Sequence, residues 1–217
     1  EPGQSVEVGS RLLSLAEDDF RPRQLYDLFG IEVLSTTESA NDPLTSHKAN
    51  QDSDWQGRVI TAYRPDNVID PDFEGFAAKV AVMGELTGED TSTWTGYLAA
   101  HRNRREFFKA HGATSSDHGH PTARTEDLPQ TEAAALFAKA LAGSCTAEEA
   151  DAFRGHMLTE MARMSLEDGL VMQIHPGSFR NHSASMMARF GRDKGFDIPT
   201  RTDFVRALRP LLEAVGT

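Results

Sequence analysis

Four short runs rich in apolar and β-branched residues stand out along the chain: Ile31 to Ser35, Arg58 to Tyr63, Gly112 to Ser116 and Leu170 to His175. Each is followed by polar residues or by glycine and proline. The second and fourth are nearly continuous in apolar character, as parallel strands covered on both faces are. A short buried helix gives the same pattern, so the neighbouring segments decide. Ahead of the first run, Pro22 opens a short helix in which Leu25, Leu28 and Phe29 share a face, and Gly30 closes it just before the strand. Between the second and third runs, helical periodicity covers about Phe73 to Leu86 and Thr93 to Ala110, with Arg102, Arg104, Arg105 and Glu106 expected on a solvated face. Thr146 and Glu149 form a capping-box pattern, after which Phe153, Met157, Met161 and Met164 recur at helical spacing until Gly169. A methionine stripe at this spacing reads as core filling rather than a soft-metal site.

Strands alternating with helices predict parallel βαβ units and an α/β fold. We expect one domain over residues 1–217, with helical insertions at about 70–111 and 129–168 and no internal repeat. The segment from Glu38 to Gly57 reads as a loop with a short helix near Pro43 to Lys48, and Asp117 to Gln130 as a long loop. Long loops after strand ends are where such folds keep their function.

Every strand run ends in polar residues: Thr36, Thr37 and Glu38; Arg64, Pro65 and Asp66; Asp117, His118, Gly119 and His120; and His175 to Asn181. In a parallel barrel all four sets face one mouth. His175 at a strand tip can exchange a proton near neutral pH, Gly177 lets the loop turn, and Arg180 brings a planar positive fork. Asn181 and His182 read as loop-stabilising groups. Arg64 has two readings from the residues alone: bracing its loop through Asp66, or binding a carboxylate in bidentate geometry. Asp117, His118 and His120 resemble a metal-ligand cluster, but no further ligand follows from spacing, and Asp117 is favoured as a substrate-binding or proton-handling carboxylate.

Composition narrows the partners. A formal net charge of −11 opposes binding to nucleic acid or to acidic membrane surfaces. No apolar run approaches a membrane span and no signal segment is evident, so a cytoplasmic protein is expected. The single cysteine, Cys145, excludes an internal disulfide and is a poor candidate nucleophile. The chain begins at Glu1 without a methionine and stops just after an amphipathic stretch, which suggests a piece of a longer polypeptide.

The segments Phe29 to Thr37, Tyr63-Arg64-Pro65-Asp66, Gly112 to Gly119 and Gln173 to Asn181 resemble, in order and spacing, the uronate isomerases, a divergent branch of the amidohydrolase superfamily. The resemblance covers nearly the whole chain and implies the central part of a (β/α)8 TIM barrel, about strands 3 to 6. It implies interconversion of D-glucuronate with D-fructuronate and of D-galacturonate with D-tagaturonate by proton transfer between C2 and C1. Carried over by motif position, His175 and Asp117 are the expected catalytic residues, and Arg64 and Arg180 the expected substrate-binding residues.

The family's His-x-His after the first strand and its aspartate after the eighth have no match here, so the resemblance implies a divalent metal, expected to be zinc, for the full-length enzyme and no metal ligands from this chain. A complete barrel needs about 250 residues, so an isolated piece is expected to lack activity and to expose sheet edges. Further sequence or another chain, a second copy included, would have to cover them. The nearest enzymatic alternative is a metal-dependent hydrolase of the same superfamily, and the alternative from a different class is a sugar-acid binding or scaffold module without turnover.

Overall fold

The computed structural model describes residues 20–216. They divide into two units, one comprising residues up to Thr36 with Thr45–Ile60, the other Thr37–Leu44 with everything from Thr61 onward. Four strands form one sheet in chain order: β1 (Leu34–Ser39), β2 (Val59–Arg64), β3 (Ser115–His118) and β4 (Val171–Ile174). β2, β3 and β4 run parallel, with Ala62 opposite Ser115 and Asp117 opposite Gln173. A two-stranded antiparallel ribbon of β5 (Ser178–Phe179) and β6 (Ile198–Pro199) follows β4.

In the first unit, α1 (Pro22–Leu28) starts on its proline and α2 (Thr45–Gln51) lies between β1 and β2 in sequence. The face expected to be buried on α1 is not: Leu28 and Phe29 are exposed, and Tyr26 is the buried residue. The tyrosine wins because it satisfies its polar end as well as its ring. Its hydroxyl donates to the Glu32 carbonyl at 2.7 Å, accepts from the Arg58 N–H at 3.0 Å, and its ring meets Trp55 edge-on at 4.9 Å.

In the second unit, α3 (Asp66–Ile69), α4 (Phe76–Thr87), α5 (Trp94–Ala110), α6 (Gln130–Leu141) and α7 (Ala147–Asp168) supply the core. Tyr97 stacks on Phe137 at 4.3 Å between centroids, and Phe137 stacks in turn on Phe153. α7 begins with the capping box, the Thr146 side chain bound to the Glu149 N–H and the Glu149 side chain to the Thr146 N–H. Met157, Met161 and Met164 are buried core residues, as their spacing predicts.

The arginines of α5 correct the expectation of a solvated face. Arg102 and Glu106 are exposed, but Arg104 and Arg105 are buried. Arg104 donates to the carbonyls of Ala40 and Asp42, both at 2.7 Å. Arg105 grips the Asp168 carboxylate through two nitrogens, at 2.6 and 3.0 Å, and donates to Ser165 at 3.0 Å. Buried guanidinium groups are tolerated when each N–H finds an acceptor, a condition that sequence periodicity does not register.

Candidate functional site

β3 carries the centre of the site although it contains no large apolar side chain. Ser115, Ser116, Asp117 and His118 are all buried. The strand ends two residues later than expected, at His118, so Asp117 and His118 are inside it, not in the loop beyond. Alternation along a strand then sends their side chains to opposite faces. The two neighbours therefore enter different groupings.

On one face, Asp117 Oδ1 is 2.8 Å from His175 Nε2, just past the end of β4, while Asp117 Oδ2 is 3.6 Å from Arg64 Nη1 at the end of β2. The register of β3 against β4 holds this geometry, since His175 N–H also donates to the His118 carbonyl at 3.1 Å. Three of the expected site residues thus form one connected set. The two readings of Arg64 turn out to be compatible: Nε also bonds Asp66 Oδ2 at 2.8 Å. Burial alone would lower the affinity of Arg64 for its proton, but the hydrogen bond and charge of Asp66, with Asp117, raise it above the ordinary value, so the guanidinium stays charged.

Arg64 and Arg180 line a common cleft of about 760 Å³. Arg180 bonds none of the other three; it pairs with Asp197 at 3.5 Å. Gly177 has φ +117°, open only to glycine without strain, and its carbonyl accepts from Thr200 N–H at 2.9 Å. Asn181 receives Asp193 N–H on its side-chain oxygen and donates its own N–H to Asp197, both at 2.8 Å, and His182 is bonded to the Phe196 carbonyl. Both act on the loop. Arg192, which also lines the cleft, lies over the Phe73 ring at 5.0 Å. Sequence reasoning missed Arg192, Asp193 and Asp197; the only signal was a charged, glycine-containing stretch from Gly191 to Asp197 without periodicity.

On the other side of β3, His118, His120 and Asp66 bring one ligand atom each within 4.8 Å of one another. The metal-type grouping therefore forms with Asp66, 52 positions or more away in sequence and invisible to spacing, and not with Asp117. Burial holds both histidines neutral, with pKa values below the ordinary range. Gly119 between them allows a close approach: a Cβ there would stand 2.2 Å from Arg64 Nη2 and 2.9 Å from Asp66 Oδ2. Cys145 is half-buried and burial raises its thiol pKa, the opposite of an activated nucleophile. No helix among the described residues is long and apolar enough to cross a membrane.

Residues 10–217 match the family model described as glucuronate isomerase. A uronate isomerase of Rhizobium meliloti (strain 1021) is 63% identical over 93% of this chain and 43% of its own length. The crystal structure of glucuronate isomerase from Caulobacter crescentus superposes with a TM-score of 0.90 at 55% identity, over 94% of this chain and 43% of that one. That of a Thermotoga maritima uronate isomerase gives 0.83 at 31% identity, over 88% and 43%. The chain thus spans less than half the length of the relatives it matches, and its α/β fold is part of a (β/α)8 barrel.

Proposed function

As the chain belongs to the glucuronate isomerase family, we propose that it is the central part, about strands 3 to 6, of a cytoplasmic uronate isomerase that interconverts D-glucuronate with D-fructuronate and D-galacturonate with D-tagaturonate. It forms the middle of one barrel domain, with residues 70–111 and 129–168 as helical insertions. The observation that carries this reading is the set Arg64, Asp117 and His175, held at the ends of three adjacent parallel strands with Asp117 2.8 Å from His175.

In an aldose-to-ketose isomerisation a base removes the C2 proton, an enediol forms, a proton is delivered to C1, and the hydroxyl proton passes from O2 to O1. Asp117 Oδ1 and His175 Nε2 stand 2.8 Å apart, close enough to hand a proton between them, so either group facing the sugar is recharged by the other. Burial of Asp117, with His175 exposed, fixes the carboxylate and leaves the imidazole accessible. Arg64 and Arg180 supply two guanidinium groups to one cleft, where the substrate carboxylate pairs with them. The divalent metal of the family, with zinc as its expected identity, is held by ligands beyond these residues and when bound polarises a substrate oxygen.

The test is isomerisation of D-glucuronate and D-galacturonate by this chain and by the version extended to the full reading frame. Activity confined to the extended form is the expected result. Uronate binding without turnover in the extended form would replace the proposal with a binding module, and ester or lactone hydrolysis would replace it with another reaction of the superfamily.

A further inference from the structure

The two histidines of the Asp66, His118 and His120 grouping are not used by the proton-transfer set, and hydrogen bonding does not satisfy them. His118 is fully buried; Nε2 lies 3.1 Å from Ser116 Oγ, and Nδ1 has no partner among the described residues. His120 is 5% exposed and neither ring nitrogen has a hydrogen-bond partner among the described residues. Its Nε2 points at Asp66 Oδ1 from 4.0 Å, too far for a hydrogen bond. Leaving a buried polar group unsatisfied costs about 1–3 kcal/mol, and a neutral imidazole offers one lone pair, so the two histidines present two buried lone pairs in one place that call for an acceptor.

A divalent cation is such an acceptor. If His118 Nε2–H donates to Ser116, Nδ1 presents a bare lone pair, with the second ring nitrogen anchored as it is in most metal-binding histidines. Asp66 Oδ2 accepts from Arg64 Nε, the Gly119 N–H donates to both carboxylate oxygens at 3.1 and 3.3 Å, and Oδ1 is turned towards His120 with a lone pair to spare. Two histidines and a carboxylate are a donor set of the zinc class. The surrounding charge also favours a cation: Arg64 is shared between Asp66 and Asp117, and Arg154 between Asp70 and Asp72, leaving these carboxylates in excess of the two arginines. The ligand atoms, within 4.8 Å of one another, need only small side-chain rotations to reach the ~2.0–2.2 Å bonds of such a site.

We propose that Asp66, His118 and His120 form a mononuclear divalent-cation site of the zinc class, distinct from the family's metal site whose ligands lie outside this chain. A cation there ties the end of β3 to the start of α3, and so positions Arg64 against Asp117 without touching substrate.

Isothermal titration of the metal-free chain with ZnCl2, together with visible spectra after Co2+ addition, tests this without reference to activity, so its outcome is independent of the isomerase reading. The expected result is one Zn2+ per chain and cobalt d–d bands, both lost or weakened by more than about tenfold in His120→Leu and in Asp66→Asn, and both kept in His111→Asn, which lies outside the grouping. The metal-free His120→Leu chain is expected to melt no lower than the metal-free parent, because the ring it removes makes no hydrogen bond. Absence of stoichiometric binding, equal binding by His120→Leu, or a metal-free His120→Leu chain that melts markedly lower would each overturn the proposal.

Discussion

Asp117 and His118 are consecutive residues, yet the pleat of β3 gives the first to the His175 and Arg64 set and the second to the grouping with His120 and Asp66. Because Asp117 is paired with both a candidate proton carrier, 2.8 Å away, and a fixed cation, 3.6 Å away, its neutral isostere should uncouple them. We expect Asp117→Asn and His175→Asn, made in the full-length enzyme, to lower kcat for D-glucuronate by about 10²–10⁴-fold, with little change in melting temperature for the exposed His175. Equal kcat in either variant would remove that residue from the reaction. Gly119→Ala adds a methyl group where Arg64 Nη2 and Asp66 Oδ2 already stand. It should destabilise the protein by about 1–3 kcal/mol, read from denaturant midpoints, and raise KM by displacing Arg64. The identities of Arg64, Asp117, His175 and Arg180 were legible from strand-end position and family resemblance. Asp66 as a partner of His120, and Asp197 as the partner of Arg180, were not, since both contacts depend on loop paths that no spacing rule encodes.

At the level of elements, β2 and β4 were located by their nearly continuous apolar runs and α7 by its capping box with periodicity behind it, whereas β1 lies three to four residues later than its run, with Thr36, Thr37 and Glu38 inside it. β3 begins three residues and ends two residues later than its run because its own residues are polar; its burial comes from the layers around it. The arginines of α5 show the same limit. Arg105→Ala removes one member of a buried bidentate pair and leaves Asp168 short of its partner, which should cost about 3–5 kcal/mol. Arg102 makes an equally well-aligned pair with Glu167, at 2.7 and 2.8 Å, but in solvent, so Arg102→Ala should cost less than about 1 kcal/mol. Urea midpoints of the two variants separate the cases. His101, also on α5, is fully buried with Nδ1 2.8 Å from the Tyr63 hydroxyl, and burial, aided by Arg105 and Arg102, pushes its pKa down to about 3. The unfolded chain binds this proton near pH 6.5 and the folded one does not. Stability is therefore lost as pH falls below 6.5, by up to about 1.4 kcal/mol per unit from this group. His101→Phe should have a flatter dependence between pH 7 and 5; an identical slope would show that His101 is protonated in the fold.

For the molecule as a whole, the sheet of the described residues has two edges, β1 and β4, each with a strand on one side only. Val171 on β4 is 65% exposed and Leu34 on β1 is 45% exposed, whereas strands of a parallel sheet are ordinarily covered on both faces. Open edges with apolar side chains recruit further strands. The matched relatives are more than twice as long as the stretch they share with this chain, so sequence capable of supplying those strands exists in the family. The isolated chain should therefore self-associate at micromolar concentration, seen as a scattering mass above that of one chain, and Val171→Lys should reduce the association by placing a charge on the β4 edge. The version extended to the full reading frame should have a defined mass and be indifferent to that charge only if β4 remains an edge; if β4 is covered there, Val171→Lys should destabilise it. A monodisperse monomer from the short chain would mean that the described residues cover their own edges in solution, and the loss of activity expected from the missing strands would then have to come from missing site residues alone.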